Sequence, residues 1–434
     1  MAAAIIVLAG AACLAINWPG HFSWDSVMQL AEGRAGVYSG QHPPIMSWLL
    51  GLADAGSPGG GLFVVLDVAL VAVCLPQLAI YPAIVWKDVL FAGAAVAGFA
   101  ALAVAAAHWA SPGWRRVALI LAALLLALAS LTRQNGALVL PFAALALAWI
   151  AGREGGVRAA LGHGAAFLGG AVLLAVIANL ALATRVRGSH GVPEQWEHLA
   201  VYDIVGAVAR DPRVELGVLH ARAPWIETLL RDDGAPAYRP SRIDALGDDI
   251  LDPIDARADA AAPIFAQWRD LIAGHPLLYL RVRASVFRWT LLTPKPAECV
   301  MVSTGVDGDP VDLAAAGLKE RQTPRDDAIE AYATAFTHTP AYSHLTYGLA
   351  GAALLALLLR RRRTPDIAVA AMVAAALAFA ASFAVIGIAC DYRYLYDLDL
   401  SAVAAALYGA ATRVWRVGQP GAAGPHEAIA RNEV

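Results

Sequence analysis

The sequence is poor in charge. Asp, Glu, Lys and Arg make up 15% of its 434 residues, against 59% hydrophobic residues, and the formal net charge is only -3. No long basic run occurs, so the usual electrostatic signature of a nucleic-acid partner is missing. The tightest basic cluster, Arg360 to Arg363, flanks an apolar run and reads as a topology signal. Zinc-ligand spacing, a Ser-His-Asp arrangement, a Walker loop and a usable GxGxxG are all lacking, which leaves no nucleotide site. Cysteine is scarce: Cys13, Cys74, Cys299 and Cys390. The first two sit in apolar runs and read as packing residues. Met1 to Ile16 contains neither Lys nor Arg, so it lacks the charged start of a signal peptide and reads as an uncleaved first span.

What is abundant is Ala, Leu and Val, in long runs through residue 184 and again after about 343. This pattern predicts an all-α polytopic membrane protein. The candidate spans are 2–17, 44–57, 61–80, 88–108, 116–132, 135–152, 159–184, 343–360, 366–389 and 397–413. The second is short enough to be a core helix or a re-entrant segment instead. Taking Arg115, Arg116, Arg153, Arg158, Arg360 to Arg363, Arg413 and Arg416 as cytoplasmic gives ten crossings with both termini inside. Asp25 and His42 then face outward. If 44–57 does not cross, their loop changes sides.

The chain divides into an N-terminal membrane module (1–184), a soluble, mostly helical outer domain (185–342), a C-terminal membrane module (343–416) and a disordered tail (417–434). Within the outer domain, 275–294 is apolar with arginines set into it; Arg281 and Arg288 share a helix face, as in an interfacial helix.

With this topology one membrane face collects His21, Asp25, His42, Lys87, Asp88, Arg133, Asn135, Asp391 and Arg393. Ionisable groups at membrane depth are costly, so the collection points to function; the plain alternative is that loop ends are polar. Asp25 lies among Phe22 and Trp24, where desolvation would raise its pKa and make it a better base. It could equally be a helix N-cap, as could Ser23. His42-Pro43-Pro44 holds an imidazole at the start of a helix, to orient Asp25, to contact a phosphate, or to cap the helix. Trp86-Lys87-Asp88 offers a cation and a second acid, or a simple interfacial anchor. Arg133 and Asn135 interrupt an apolar hairpin, and a guanidinium suits a phosphate. Arg393, in CDYRYLYDLDLS, makes the same case, with Asp391, Asp397 and Asp399 as structural partners.

WDS and QHPP in the first loop, the WKD turn, TRQNG and DYRYLY together resemble the GT-C superfamily of polytopic glycosyltransferases. That class uses polyprenyl-phosphate sugars and includes protein O-mannosyltransferases and lipid A aminoarabinose transferases. The resemblance implies a bacterial inner-membrane enzyme with its site facing the periplasm or exterior. Its substrates would be a polyprenyl-phosphate-linked sugar and a glycolipid, polysaccharide or protein acceptor. The catalytic acids map onto Asp25 and Asp88, and the late Arg-Tyr-Leu onto Arg393-Tyr394-Leu395. His21, His42, Lys87, Arg133, Asn135 and Arg393 would bind substrate, and a divalent cation could be shared by Asp25 and Asp88. The first loop carries one acid where many relatives have two, and Asp397 stands where a proline is common. An oxidising outer compartment would permit a Cys299–Cys390 disulfide. The rival expectations are a lipid-linked saccharide flippase or transporter, a polysaccharide polymerase or ligase, and a non-catalytic assembly factor.

Overall fold

A computed structural model describes residues 2–38, 42–70, 76–183, 194–412 and 414. Cys74, Arg413, Arg416 and the 417–434 tail lie outside the described residues. The described chain is helical, with no β-strand beyond four isolated bridges. The principal helices are α1 Ala2–Asn17, α2 Trp24–Ala35, α3 Pro44–Gly56, α4 Gly61–Leu70, α5 Lys87–Ala107, α6 Pro112–Thr132, α7 Val139–Ala183, α8 Glu194–Arg210, α9 Ala261–Gly274, α10 Pro276–Leu292, α11 His344–Arg361, α12 Thr364–Ile386 and α13 Tyr396–Thr412.

Helices fall where apolar runs were expected, but ten crossings do not follow. Among the described residues four helices are long and apolar enough to cross a membrane, five if α3 and α4 form one bent unit. At 16 residues, α1 is about 24 Å long against a hydrocarbon core of about 30 Å. The 17-residue α13 carries Asp397 and Asp399, and α11 ends in arginines. Helices α3 and α4 meet at 114°, the geometry of a broken span or re-entrant loop. The long α7 is not straight: Gly156 has φ +75°, which favours glycine. A Cβ at Gly164 would stand 2.9 Å from that of Ala148. In one straight helix these two positions would lie about 24 Å apart, so the two arms of α7 fold back on each other.

The membrane-type core joins α5, α6, α7, α11, α12 and α13 through Phe91, Leu126, Leu147, Phe379 and their neighbours. Residues 200–286 form a separate core around Val201, Tyr202, Ile226, Ile264 and Val286. Helix α10 leaves Leu277, Leu280, Arg281 and Arg288 exposed but turns Arg283 inward. Arg283 donates to Asp203 Oδ1 at 2.8 Å and to the Gly387 carbonyl at 2.7 Å, fastening α8 and α10 to the end of α12. Glycine also sets the approach of α2 to α3: a Cβ on Gly33 would meet the Ser47 carbonyl at 2.3 Å.

Between α1 and α2 the chain runs extended through His21 and Phe22, bridged to Ile84 on one side and Val306 on the other. His21 is fully buried. Its Nδ1 accepts from the Gly305 N–H at 2.9 Å, and Nε2 faces Asn17 Oδ1 at 3.1 Å. Contrary to expectation, His21 therefore presents nothing to a substrate; it ties the first loop to the segment around Gly305. Burial pushes its pKa down to about 4, with Asp326 opposing. A histidine with a depressed folded pKa contributes stability that is present above its unfolded pKa near 6.5 and is lost as pH falls toward 4. At 1.36 kcal/mol per unit this amounts to roughly 3 kcal/mol. Thermal melts of the detergent-solubilised protein should fall through that window, and His21→Gln should flatten the slope.

Candidate functional site

Three turns and the start of α2 converge. Ser23 caps α2, and the Ser26 hydroxyl accepts from the Ser23 N–H at 2.8 Å. Asp25 is therefore not the cap, and its carboxylate is free to point elsewhere. The Trp86 indole donates to Ser23 Oγ at 3.0 Å, which fixes α2 against the Trp86-Lys87-Asp88 turn at the head of α5. Arg133 ends α6 in extended backbone, and Arg393 lies in the short helical turn Tyr392–Leu395 before α13.

Arg393 is the hub. Its Nη2 donates to Asp25 Oδ2 at 2.8 Å and pairs with Asp391 Oδ2 at 3.1 Å; its Nε lies 3.9 Å from Asp88 Oδ2. The guanidinium also lies 5.1 Å from the Trp86 ring and 5.6 Å from Tyr394. Arg133 donates to Asp88 Oδ1 and faces Tyr394 at 5.1 Å and Phe383 at 5.5 Å. Lys87 is buried, and its ammonium lies 2.6 Å from His42 Nδ1. Lys87 is thus the cation of the set with no carboxylate in ion-pair contact among the described residues.

The expected rise in Asp25 basicity is overturned. Burial does work against its charge, but Arg393, then His42 and Lys87, outweigh it and hold the carboxyl well below the usual range. His42 is pushed down to about 3 by burial and by the Lys87 ammonium, so it stands neutral and accepts a hydrogen bond from Lys87. Burial raises Asp391 despite Arg393.

Asn135 is set apart: its Nδ2 donates to Ser382 Oγ at 2.7 Å, joining the α6–α7 turn to α12. A cation shared by Asp25 and Asp88 does not fit, because the Arg393 guanidinium reaches both carboxylates and each faces further cations. Among the described residues no group of three or more His, Cys, Asp or Glu is arranged to hold a metal ion. Tyr394, which flanks both arginines, is named from sequence only within the Arg393-Tyr394-Leu395 motif and is given no role there. Its one signal was the aromatic alternation of DYRYLY.

An open cavity of about 370 Å³ adjoins this cluster through Arg133. Leu131, Leu140, Val172 and Val176 line it together with the polar Ser130, Gln134 and Asn179.

Behind Arg393, Cys390 is bonded to Cys299 with Cα atoms 5.3 Å apart. The Cys390 N–H donates to the Ser241 carbonyl, and the Tyr392 N–H to that of Val300. Ser241, Cys299 and Val300 therefore brace the segment carrying Asp391 and Arg393. Loss of a disulfide typically costs about 2–5 kcal/mol. Replacing both cysteines by serine should lower the melting temperature and reduce activity together, and reductant should mimic the change in the parent protein.

No protein-family model, curated protein or solved structure matches this chain.

Proposed function

We propose that the protein is a membrane glycosyltransferase that moves a sugar from a polyprenyl-phosphate donor to an extracytoplasmic acceptor. One observation carries this reading. A mostly apolar groove is lined by Arg133, whose guanidinium pairs with Asp88 in the same cluster as Lys87, Arg393 and one partly exposed carboxylate, Asp25. Such a site suits an amphiphile with a long apolar tail and an anionic head, presented next to a base. The GT-C resemblance of the first-loop, WKD and DYRYLY motifs agrees with it, as does the placement of the site at helix ends rather than mid-helix.

In the proposed reaction Lys87 takes the donor phosphate first, since its hydrogen-bond partner is neutral His42. The phosphate then competes for Arg393, loosening the pair that keeps Asp25 acidic. Asp25 accepts the proton from the acceptor hydroxyl as that oxygen bonds to the anomeric carbon. The carbon–oxygen bond to phosphate breaks, and its electron pair leaves with the polyprenyl phosphate, stabilised by Lys87, Arg133 and Arg393. Asp88, buried and engaged by both arginines, positions them rather than moving a proton.

A transporter reading draws on a different observation: Asp67 in α4 is buried, and neither carboxylate oxygen has a hydrogen-bond partner among the described residues. Incubating the purified protein with labelled polyprenyl-phosphate sugar and a lipid, saccharide or peptide acceptor separates the two. Glycosyl transfer with release of polyprenyl phosphate supports the enzyme; intact donor crossing a vesicle membrane supports the transporter.

A further inference from the structure

A second cavity, of about 480 Å³, lies in the outer domain between Arg239–Ala245 and Trp289–Glu298. Its size falls in the range of small-ligand sites. Arg239, Arg242 and Lys295 line it with a single acid, Glu298, and the indole of Trp289 forms part of its wall. Several of these donors are already engaged. Arg239 Nη1 reaches the carbonyls of Pro236, Ala237 and Tyr238, and Arg242 Nη2 donates to the Glu298 carbonyl at 2.6 Å. Lys295 Nζ meets Glu298 Oε1 at 2.9 Å and lies 5.9 Å from the Trp289 ring. These contacts hold the cationic groups in place and leave Arg242 Nη1 and Nε without a hydrogen-bond partner among the described residues.

The cavity is built onto the reaction centre. Arg242 bridges Ala389, Ser241 accepts from the Cys390 N–H, and Cys299 is bonded to Cys390. The wall of the cavity is therefore joined to the segment that ends in Asp391 and Arg393. None of the groups assigned above to the donor phosphate lies in it.

We propose that this cavity is the acceptor subsite and that it takes a carboxylate-bearing saccharide, a uronic-acid unit of a larger acceptor, whose reacting hydroxyl lies beyond it at Asp25. A sugar ring offers an apolar face to an indole, and a planar carboxylate matches the fork of a guanidinium. An excess of cations over one acid selects for an anion. The assignment of an acceptor role rests on the glycosyltransferase reading; the binding itself does not.

The test is calorimetric titration of the full-length protein in detergent with tri-galacturonate, using maltotriose as the neutral control. Saturable binding of tri-galacturonate is expected, with maltotriose at least tenfold weaker. Arg242→Gln and Lys295→Gln should each weaken the acidic ligand about tenfold, or about 1.4 kcal/mol. Lys295 is well exposed, so its variant should fold. Absent saturation, equal affinity for maltotriose, or affinity unchanged in both charge variants would overturn the subsite. If Asp25→Asn retained sugar transfer, the transferase mechanism would fail while the titration stood.

Discussion

Asp25→Asn should lower glycosyl transfer by about 10²- to 10⁴-fold, the range ascribed to one positioned general base. Asparagine keeps the shape and can still accept from Arg393, whose pairing with Asp391 is untouched. Melting temperature and donor binding should therefore change little. The loss should appear in kcat rather than in KM for the donor, because the carboxylate acts on the acceptor hydroxyl. Single-turnover release of polyprenyl phosphate measures it directly. A loss confined to KM would instead mean that Asp25 merely holds Arg393.

Arg393→Gln should damage stability as well as transfer. It removes the shared cation of Asp25 and Asp391, close to Asp88, in a site where Arg393 is only 11% exposed. Removing one partner of a buried ion pair typically costs about 3–5 kcal/mol. Transfer should fall as well, by about 10²- to 10³-fold, the scale for one group stabilising developing charge. The pH profile supplies the diagnostic. In the parent, Asp25 stays ionised to well below the usual carboxylate range, so it adds no acid limb above about pH 4. Burial is already the largest single influence on Asp25; without Arg393, its main counterweight is gone, the Asp25 pKa rises, and activity should decline as pH falls through the new value. A residual activity with the parent profile would show that Arg393 serves stability alone.

The sequence displayed these helices more clearly than their passage through the membrane. Apolar runs placed α5, α6, α12 and both arms of α7, and arginine distribution brought Asp25, Lys87, Arg133 and Arg393 to one face. Length and bending were less legible. Helix α1 is too short, α13 places two aspartates in its first turn, and α3 breaks sharply into α4, so hydropathy overcounted the crossings. The charge state of Asp25 was hidden for another reason. Its deciding partner stands 368 positions away, and local reading sees only the aromatic neighbours that favour a neutral acid. His21 misled in the same way, because the Gly305 amide that fixes its ring lies 284 positions on. Burial and pairing push a pKa in opposite directions, and only the tertiary contact decides between them.

Photo-crosslinking with a diazirine-bearing polyprenyl phosphate tests the central claim most directly, since it asks whether groove and cluster together hold a lipid phosphate. The account predicts labelled peptides from 130–140 and 172–182, competed by unmodified polyprenyl phosphate and lost in Lys87→Gln and Arg133→Gln. Label spread instead over lipid-facing positions such as Trp114, Ile120 and Leu124, indifferent to those substitutions, would contradict it.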